Sequence, residues 1–377
     1  MKAYQIGAQD NIDALVATTR PDPVAGPGEA LVAPRLVGLI SRDVQLLRGT
    51  YGPRQPETRI PMSEGVGEVV AIGEGVTEVA IGDRVVCGHF ASWLDGAFRS
   101  DVFAHDIGIT HDGWLAERIV LPAAALIRVP DALADVDVAG LASAALTAWN
   151  ALVEICHVKA GDTVLCLGTG SVSLAALKIA KARGARVAIT SSHDAKLETA
   201  RALGADIAVN YRTSPDWAAE VIAQTEGKGA DIVIETGGVD TLGQSIAATA
   251  ANARIVVVGV SPGEGPAITD YLSLIIKNVT IRGIANGSRA IRRSTRRDGG
   301  GRHDDGRRPD LRIRRRTGRR PLLLRCRPIR QGDDRILTER ARWRANAGAS
   351  VPCPFDRARP CRRGSAGSRV SPCVLAI

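Results

Sequence analysis

A run of small residues, Gly168-Thr169-Gly170-Ser171-Val172-Ser173, separates the apolar tetrapeptide Val164-Leu165-Cys166-Leu167 from a helical pattern between Leu174 and Arg183 that Gly184 closes. The chemistry open to such a turn is anion binding. Gly168 permits a tight turn, Gly170 lets the main chain approach a pyrophosphate, and the free N–H groups and dipole of the helix N-terminus attract negative charge. Ser171 and Ser173 depart from the usual glycine pattern, the latter standing where the third glycine would fall. Small-residue turns between strand and helix also occur without a ligand. The order of strand, turn, helix and second strand favours a dinucleotide site formed by Gly168, Thr169, Gly170, Ser171 and Val172.

The second strand, Arg186-Val187-Ala188-Ile189-Thr190-Ser191, bears on which nucleotide is bound. NAD enzymes place a carboxylate about 20 residues beyond the glycines, where it accepts hydrogen bonds from the ribose 2′-OH. This chain has Ser191 and Ser192 there, followed by Lys196. Hydroxyls and an ammonium suit a 2′-phosphate, which a carboxylate would repel, so NADP(H) is expected over NAD(H). The plainer reading is that the two serines cap a helix starting near Asp194 and that Lys196 is solvated.

The elements that position these residues divide the chain. Ala30–Val37 and Gly65–Gly73 are strand-like, and Val76–Val86 is a turn and strand around Gly82-Asp83-Arg84. The pattern lapses from Gly88 to Asp112, which predicts a long surface excursion, and order resumes at Trp114-Leu115-Ala116-Glu117. Asp131–Leu152 reads as helix. From Val164 to Ile284 strands and helices alternate, including Ile232-Val233-Ile234 and Ile255-Val256-Val257-Val258-Gly259, as in one doubly wound parallel sheet. Gly259, at the end of its strand, is counted with the cofactor site.

Charge divides the chain at a different place. Residues 289–377 hold 26 arginines, no lysine and eight acids, a balance of +18, whereas residues 1–288 hold 23 basic and 32 acidic residues, a balance of −9. The whole-chain value of +9 therefore describes neither part. The first part is long enough to bury two cores. Its only cysteines are Cys87, Cys156 and Cys166, without C-x-x-C spacing. That fits a reducing, cytoplasmic setting. No 18-residue apolar run and no signal-like start is read from the sequence, so no membrane partner is expected.

Several separated motifs together resemble one family. Glu64-Gly65-Val66-Gly67-Glu68-Val69-Val70, Gly82-Asp83-Arg84-Val85, Leu146-Thr147-Ala148-Trp149-Asn150-Ala151-Leu152 and the glycine turn, in that order, are similar to the medium-chain dehydrogenase/reductase superfamily, in its zinc-independent alcohol dehydrogenase and quinone oxidoreductase branch. The resemblance runs over about residues 1–289. It implies a GroES-like β-rich catalytic domain over residues 1–125 and a Rossmann NADP(H)-binding domain over 126–288, an α/β fold with substrate between the two. It further implies hydride transfer to or from the nicotinamide C4, a small-molecule substrate and a homodimer.

Zinc members of that family use Cys, His and Cys as ligands. The matching positions here look like Ile40, Ser63 and Ser143, and no four-cysteine lobe lies between Cys87 and Asp112. Ordinary isoleucine and serine side chains do not ligate zinc, so no metal is expected. His89, His105 and His111 could in principle gather around a metal, but they lack ligand spacing and are read as solvated. Glu64 is read as a partly buried carboxylate paired with an arginine. Without a metal, a developing oxyanion needs hydrogen-bond donors. The candidates are Ser41 and Arg42, in the segment replacing the ligand loop, and Tyr51, which could equally line the pocket as a wall. Arg42 and Asp43 could instead pair with each other. Thr147 resembles the family residue near the nicotinamide, although as a helix residue it could simply bond its own backbone, and Lys196 and Tyr211 match positions that hold the 2′-phosphate.

The last 89 residues do not continue the resemblance. Three readings stand: an arginine-rich nucleic-acid-binding tail, a solvated extension, or a GC-rich gene translated out of frame. Absence of lysine favours the last. Read one base downstream, Ile313–Arg320 permits Phe-Asp-Asp-Ala-Pro-Ala-Ala-Ala and Arg330–Asp334 permits Gly-Lys-Ala-Thr-Ile, both similar to the family's C-terminal segments. On that reading residues 289–377 are a frameshift product, disordered and without a specific nucleic-acid partner. The alternatives to an active oxidoreductase are a nucleic-acid-binding protein using the tail and an inactive nucleotide-binding scaffold.

Overall fold

The computed structural model describes residues 1–260 and 271–289, so the arginine-rich segment and the frame reading attached to it lie outside the described residues. The N-terminal part carries seven strands. A hairpin-like pair, β1 (Lys2–Gln5) and β2 (Val16–Thr19), lies beside a five-stranded antiparallel sheet made of β3 (Glu29–Gly38), β4 (Glu64–Ile72), β5 (Arg84–Cys87), β6 (Ile119–Pro122) and β7 (Leu126–Arg128). Its order is β6-β3-β4-β5-β7, and Val66 pairs with Val86 while Val37 pairs with Gly65. Ala30 and Val32, alternate residues of β3 on one face, and Val37, beyond an irregularity in the register, meet Val69, Val85, Trp114 and Leu121 in a closed core. The only helix in this part longer than one 3₁₀ turn or two, α1 (Ser41–Leu47), begins directly after β3.

A helical stretch leads from this sheet into the second core. It runs through α2 (Asp135–Val138), a π turn at Leu141–Ala145, α3 (Leu146–Trp149) and a second π turn at Asn150–Ile155. It starts a few residues later than the sequence predicts and continues past Leu152. By length and composition alone, 135–155 could cross a membrane, an apolar run the sequence reading missed. Its apolar residues Ala148, Ala151 and Leu152 are instead fully buried against the parallel sheet.

That sheet contains β8 (Thr163–Cys166), β9 (Arg186–Ser191), β10 (Ile207–Asn210), β11 (Ala230–Glu235), β12 (Thr249–Val257) and β13 (Thr280–Gly283), all parallel, in the order β10-β9-β8-β11-β12-β13. The intervening helices are α4 (Ser171–Ala182), α5 (Asp194–Ala202), α6 (Trp217–Gln224), α7 (Val239–Ala247) and α8 (Tyr271–Ile276). Every residue of β8 is buried, because helices cover both faces of the sheet. Strand order reverses between β8 and β11, and the crevice beyond their C-terminal ends is where doubly wound sheets take ligands. The α/β class, with a β-rich unit joined to a doubly wound parallel sheet, is as the sequence predicts.

Candidate active site

The glycine turn lies at that crevice. Gly168 has φ of +67°, a left-handed conformation that glycine adopts without strain, and a Cβ added at Gly168 or Gly170 would meet nothing within 4 Å. The turn therefore faces open space. Gly170 caps α4 with extended backbone and no side-chain cap bond, so the first N–H groups of the helix have no side chain from the cap residue to satisfy them. Ser171 and Val172 form the first turn of α4, both half-buried. Ser173 explains the missing third glycine: its buried hydroxyl donates to Leu167 O at 2.6 Å and ties the helix to the strand end. Thr236 Oγ1 donates to the same carbonyl at 2.8 Å, joining the ends of β8 and β11.

The nucleotide-specificity candidates converge less completely. Ser191 ends β9 and is buried, with its Oγ 3.3 Å from Thr169 Oγ1, so the turn and the second strand meet through two hydroxyls. Ser192 is half-buried and bonds to His193 Nδ1 at 2.7 Å. Lys196 lies half-buried on α5, and Tyr211 follows β10 with its N–H donating to Ser191 O at 3.0 Å. Gly259 has a different reason for being glycine. A Cβ there would come within 2.1 Å of Thr236 O, so the residue is required by close packing of two chain segments.

The three positions corresponding to a zinc set, Ile40 and Ser63 in the antiparallel part and Ser143 on the helical stretch, do not fit a metal. Ile40 has no donor atom. Ser63 is fully buried, accepts from Arg42 Nε at 2.7 Å and donates to Asp43 Oδ1 at 2.6 Å, so its hydroxyl is already engaged on both sides. The main-chain N–H of Ser143 donates to Glu64 Oε2 at 3.0 Å. Among the described residues no group of three or more His, Cys, Asp or Glu is placed to hold a metal ion. Around Ser63 stands a buried ionic network centred on Arg42.

Arg42 and Asp43 do not pair with each other, contrary to one sequence reading. Arg42 donates to Asp106 through both Nη atoms, at 3.2 and 2.6 Å, and to Ile107 O at 3.0 Å. Asp43 accepts from Ile40 N at 3.0 Å besides Ser63. Burial would lower the Arg42 pKa, but Asp106 outweighs it and holds the guanidinium charged. Burial raises both Asp43 and Asp106, with Arg42 opposing in each case. Tyr51, half-buried, has its ring centroid 5.7 Å from the Arg42 guanidinium carbon, and burial keeps its phenol protonated beyond the ordinary range. Ser41 is exposed at the first turn of α1.

Glu64 also departs from expectation. It is fully buried, not partly, and no arginine pairs with it; Oε2 accepts the Ser143 N–H and Oε1 has no hydrogen-bond partner. Burial first, then the nearby Asp43, push its pKa up to about 8. His105 and His111 are exposed as read, but His89 is buried and lies 3.0 Å from Asn286 Nδ2. Much of the 88–112 excursion is likewise packed, with Phe90, Trp93 and Val102 forming a small core of their own. Asn286 joins these candidates without any signal in the sequence to mark it. Thr147 is buried and donates to Ser143 O at 2.9 Å and toward Asn286 Oδ1 at 3.1 Å.

A β-rich unit joined to a doubly wound sheet, with a glycine turn at the reversal of strand order, is the oxidoreductase class that this fold defines. Comparison with known proteins is in accord with it. Residues 26–131 match the alcohol dehydrogenase GroES-like domain and residues 171–297 match the zinc-binding dehydrogenase domain. A zinc-type alcohol dehydrogenase-like protein of Schizosaccharomyces pombe is 42% identical over 268 residues, which are 70% of this chain and 77% of that protein. A solved NAD-dependent alcohol dehydrogenase is 33% identical with a TM-score of 0.71, covering 79% of this chain and 88% of that one. A mycobacterial protein, Rv1454c, solved in complex with NADPH, is 27% identical with a TM-score of 0.63, covering 76% and 81%. The chain belongs to the medium-chain dehydrogenase/reductase superfamily.

Proposed function

We propose that the chain is an NADP(H)-preferring, zinc-independent oxidoreductase acting on a small alcohol, carbonyl or enone. The observation that carries this reading is the buried network of Arg42, Ser63, Asp43 and Asp106, which engages Ser63, one of the three metal-ligand positions, on both sides and sits beside Tyr51. One solved neighbour is described as NAD-dependent and another holds NADPH, so the neighbours support a nicotinamide cofactor. The preference for the phosphorylated form rests on Ser191, Ser192, Lys196 and Tyr211, where no carboxylate ends the second strand.

When bound, NADP(H) supplies a hydride at the nicotinamide C4. Gly168, Thr169, Gly170, Ser171 and Val172 would hold its pyrophosphate, and Thr147 would serve its nicotinamide end. Tyr51 serves as proton donor to the carbonyl oxygen as negative charge develops there. Its raised pKa keeps the O–H bond intact at neutral pH, and the neighbouring Arg42 stabilises the phenolate left behind. Arg42 cannot itself turn to substrate without leaving Asp106, so it acts by charge and by holding the loop. Ser41, exposed beside it, is a second donor at the rim. The buried thiols of Cys87, Cys156 and Cys166, which form no disulfide, are in keeping with a reducing, cytoplasmic location, and the homodimer is carried over from the family.

The test is a titration of the full chain with NADPH and NADH, followed by turnover on aldehydes, enones and quinones and by elemental analysis. Binding of NADPH about tenfold or more tightly than NADH, a difference of about 1.4 kcal/mol, is expected, together with nucleotide oxidation and no stoichiometric zinc. Equal affinities reject the preference, and one tightly held zinc per chain rejects the metal assignment. Binding without turnover on any acceptor leaves a nucleotide-binding scaffold.

A further inference from the structure

Asn286, three residues beyond β13, is almost fully buried, and its φ of +139° is one that residues with a side chain rarely adopt. Strained backbone of this kind persists only where its surroundings fix it, and it clusters at functional sites. Here the fixing groups are polar. The main-chain carbonyl of Asn286 accepts from Asn150 Nδ2, Oδ1 lies 3.1 Å from Thr147 Oγ1, and Nδ2 lies 3.0 Å from His89 Nδ1. Thr147 and Asn150 come from the long helical stretch, whereas His89 follows β5 of the antiparallel sheet. One amide thus ties the segment leaving the parallel sheet to both.

The consequence for Thr147 follows from counting protons. A hydroxyl has one proton to give, and Ser143 O at 2.9 Å and Asn286 Oδ1 both draw on it. What remains for a ligand is a lone pair. Turning the amide over gives the same result: Nδ2 then donates to Thr147 Oγ1, the hydroxyl proton stays on Ser143 O, and His89 donates to Oδ1. In both arrangements Thr147 is fixed as an acceptor, so the ligand group it takes must carry an N–H or O–H.

We propose that Asn286 is a positioning residue, holding the Thr147 hydroxyl as an acceptor for the carboxamide N–H of the bound nicotinamide. The proposal rests on the NADP(H) reading above. It assigns Asn286 to the nicotinamide end of the cofactor and to no part of the adenine end.

Two ligands separate this role from a general structural one. NADPH spans both ends of the site, and adenosine 2′,5′-bisphosphate carries the adenine end alone. Both are titrated against the unmutated chain, Asn286→Gly, Thr147→Val and the double variant. Glycine suits the positive φ, so Asn286→Gly removes the amide while easing the backbone. Each single variant is expected to bind NADPH about tenfold more weakly, as for one lost hydrogen bond, with bisphosphate affinity unchanged. The double variant should match Thr147→Val to within about twofold, because both changes break one interaction. Equal weakening toward both ligands, unchanged NADPH affinity in Asn286→Gly, or fully additive losses would each overturn the proposal. If the unmutated chain bound neither nucleotide, the NADP(H) reading would fail first and this inference with it.

Discussion

Arg42 and Asp106, 64 positions apart in sequence, form a doubly hydrogen-bonded ion pair whose side chains are 9% and 3% exposed. A pair so enclosed has lost its hydration, and its geometry must compensate. Ser63 and Ile107 O take two of the remaining guanidinium donors, so the charge is well satisfied.

Removing one partner leaves the other as an unpaired buried charge. Arg42→Met is expected to lower stability by about 3–5 kcal/mol, read from denaturant unfolding of the full chain. The double change Arg42→Met with Asp106→Asn should recover a substantial part of the loss. A single variant as stable as the parent would show that the pair is not buried in solution.

Glu64 makes stability depend on pH in a definite direction. Its carboxyl titrates near 8 in the folded chain and near 4.5 when unfolded, so between those values the folded state holds more protons. Stability therefore falls as pH rises through this window, by up to about 1.4 kcal/mol per pH unit from this group. Glu64→Gln removes the dependence while keeping an acceptor for the Ser143 N–H. The variant should match the parent near pH 5 and exceed it in Tm at pH 8 to 9; parallel Tm profiles over that range would contradict the assignment.

Ser191 is expected to decide between the two nicotinamide nucleotides. A carboxylate in its place would face the 2′-phosphate, so Ser191→Asp should weaken NADPH binding about tenfold or more while affecting NADH far less. Because Ser191 is buried beside Thr169, circular dichroism and Tm should accompany the titration. Equal loss for the two nucleotides would remove Ser191 from the specificity site.

The segment after residue 289 offers a test at the level of the gene. Replacing 290–377 with the translation shifted by one base should restore a closing Gly-Lys strand, raise Tm and increase NADPH-dependent reduction. Binding of the present chain to DNA should disappear by about 0.2 M salt, as for unselective contacts between arginine and phosphate. A repaired chain no more stable or active than this one, or DNA affinity that outlasts such salt, would make the basic segment a native tail.

What the sequence determined by itself is mostly local. An apolar tetrapeptide followed by Gly168-Thr169-Gly170 specifies a strand, a turn of positive φ and a helix start, because each depends on neighbours a few residues away. The alternation from Val164 to Ile284 likewise fixes a parallel sheet, since strands covered on both faces must be apolar throughout. Ile40, Ser63 and Ser143 carry no ordinary zinc-ligating side chain, which residue type alone shows. Tertiary structure decided the partners of the charges. Nothing near Arg42 in the chain announces Asp106, nothing in Glu64 announces that one oxygen will be sealed without a partner, and His89 meets Asn286 across 197 positions. Periodicity records which face a residue takes, but a polar residue's partner is fixed only when separate elements pack and exclude water. That exclusion makes Asn286, silent in the sequence, the residue that joins the two sheets' surroundings at the site.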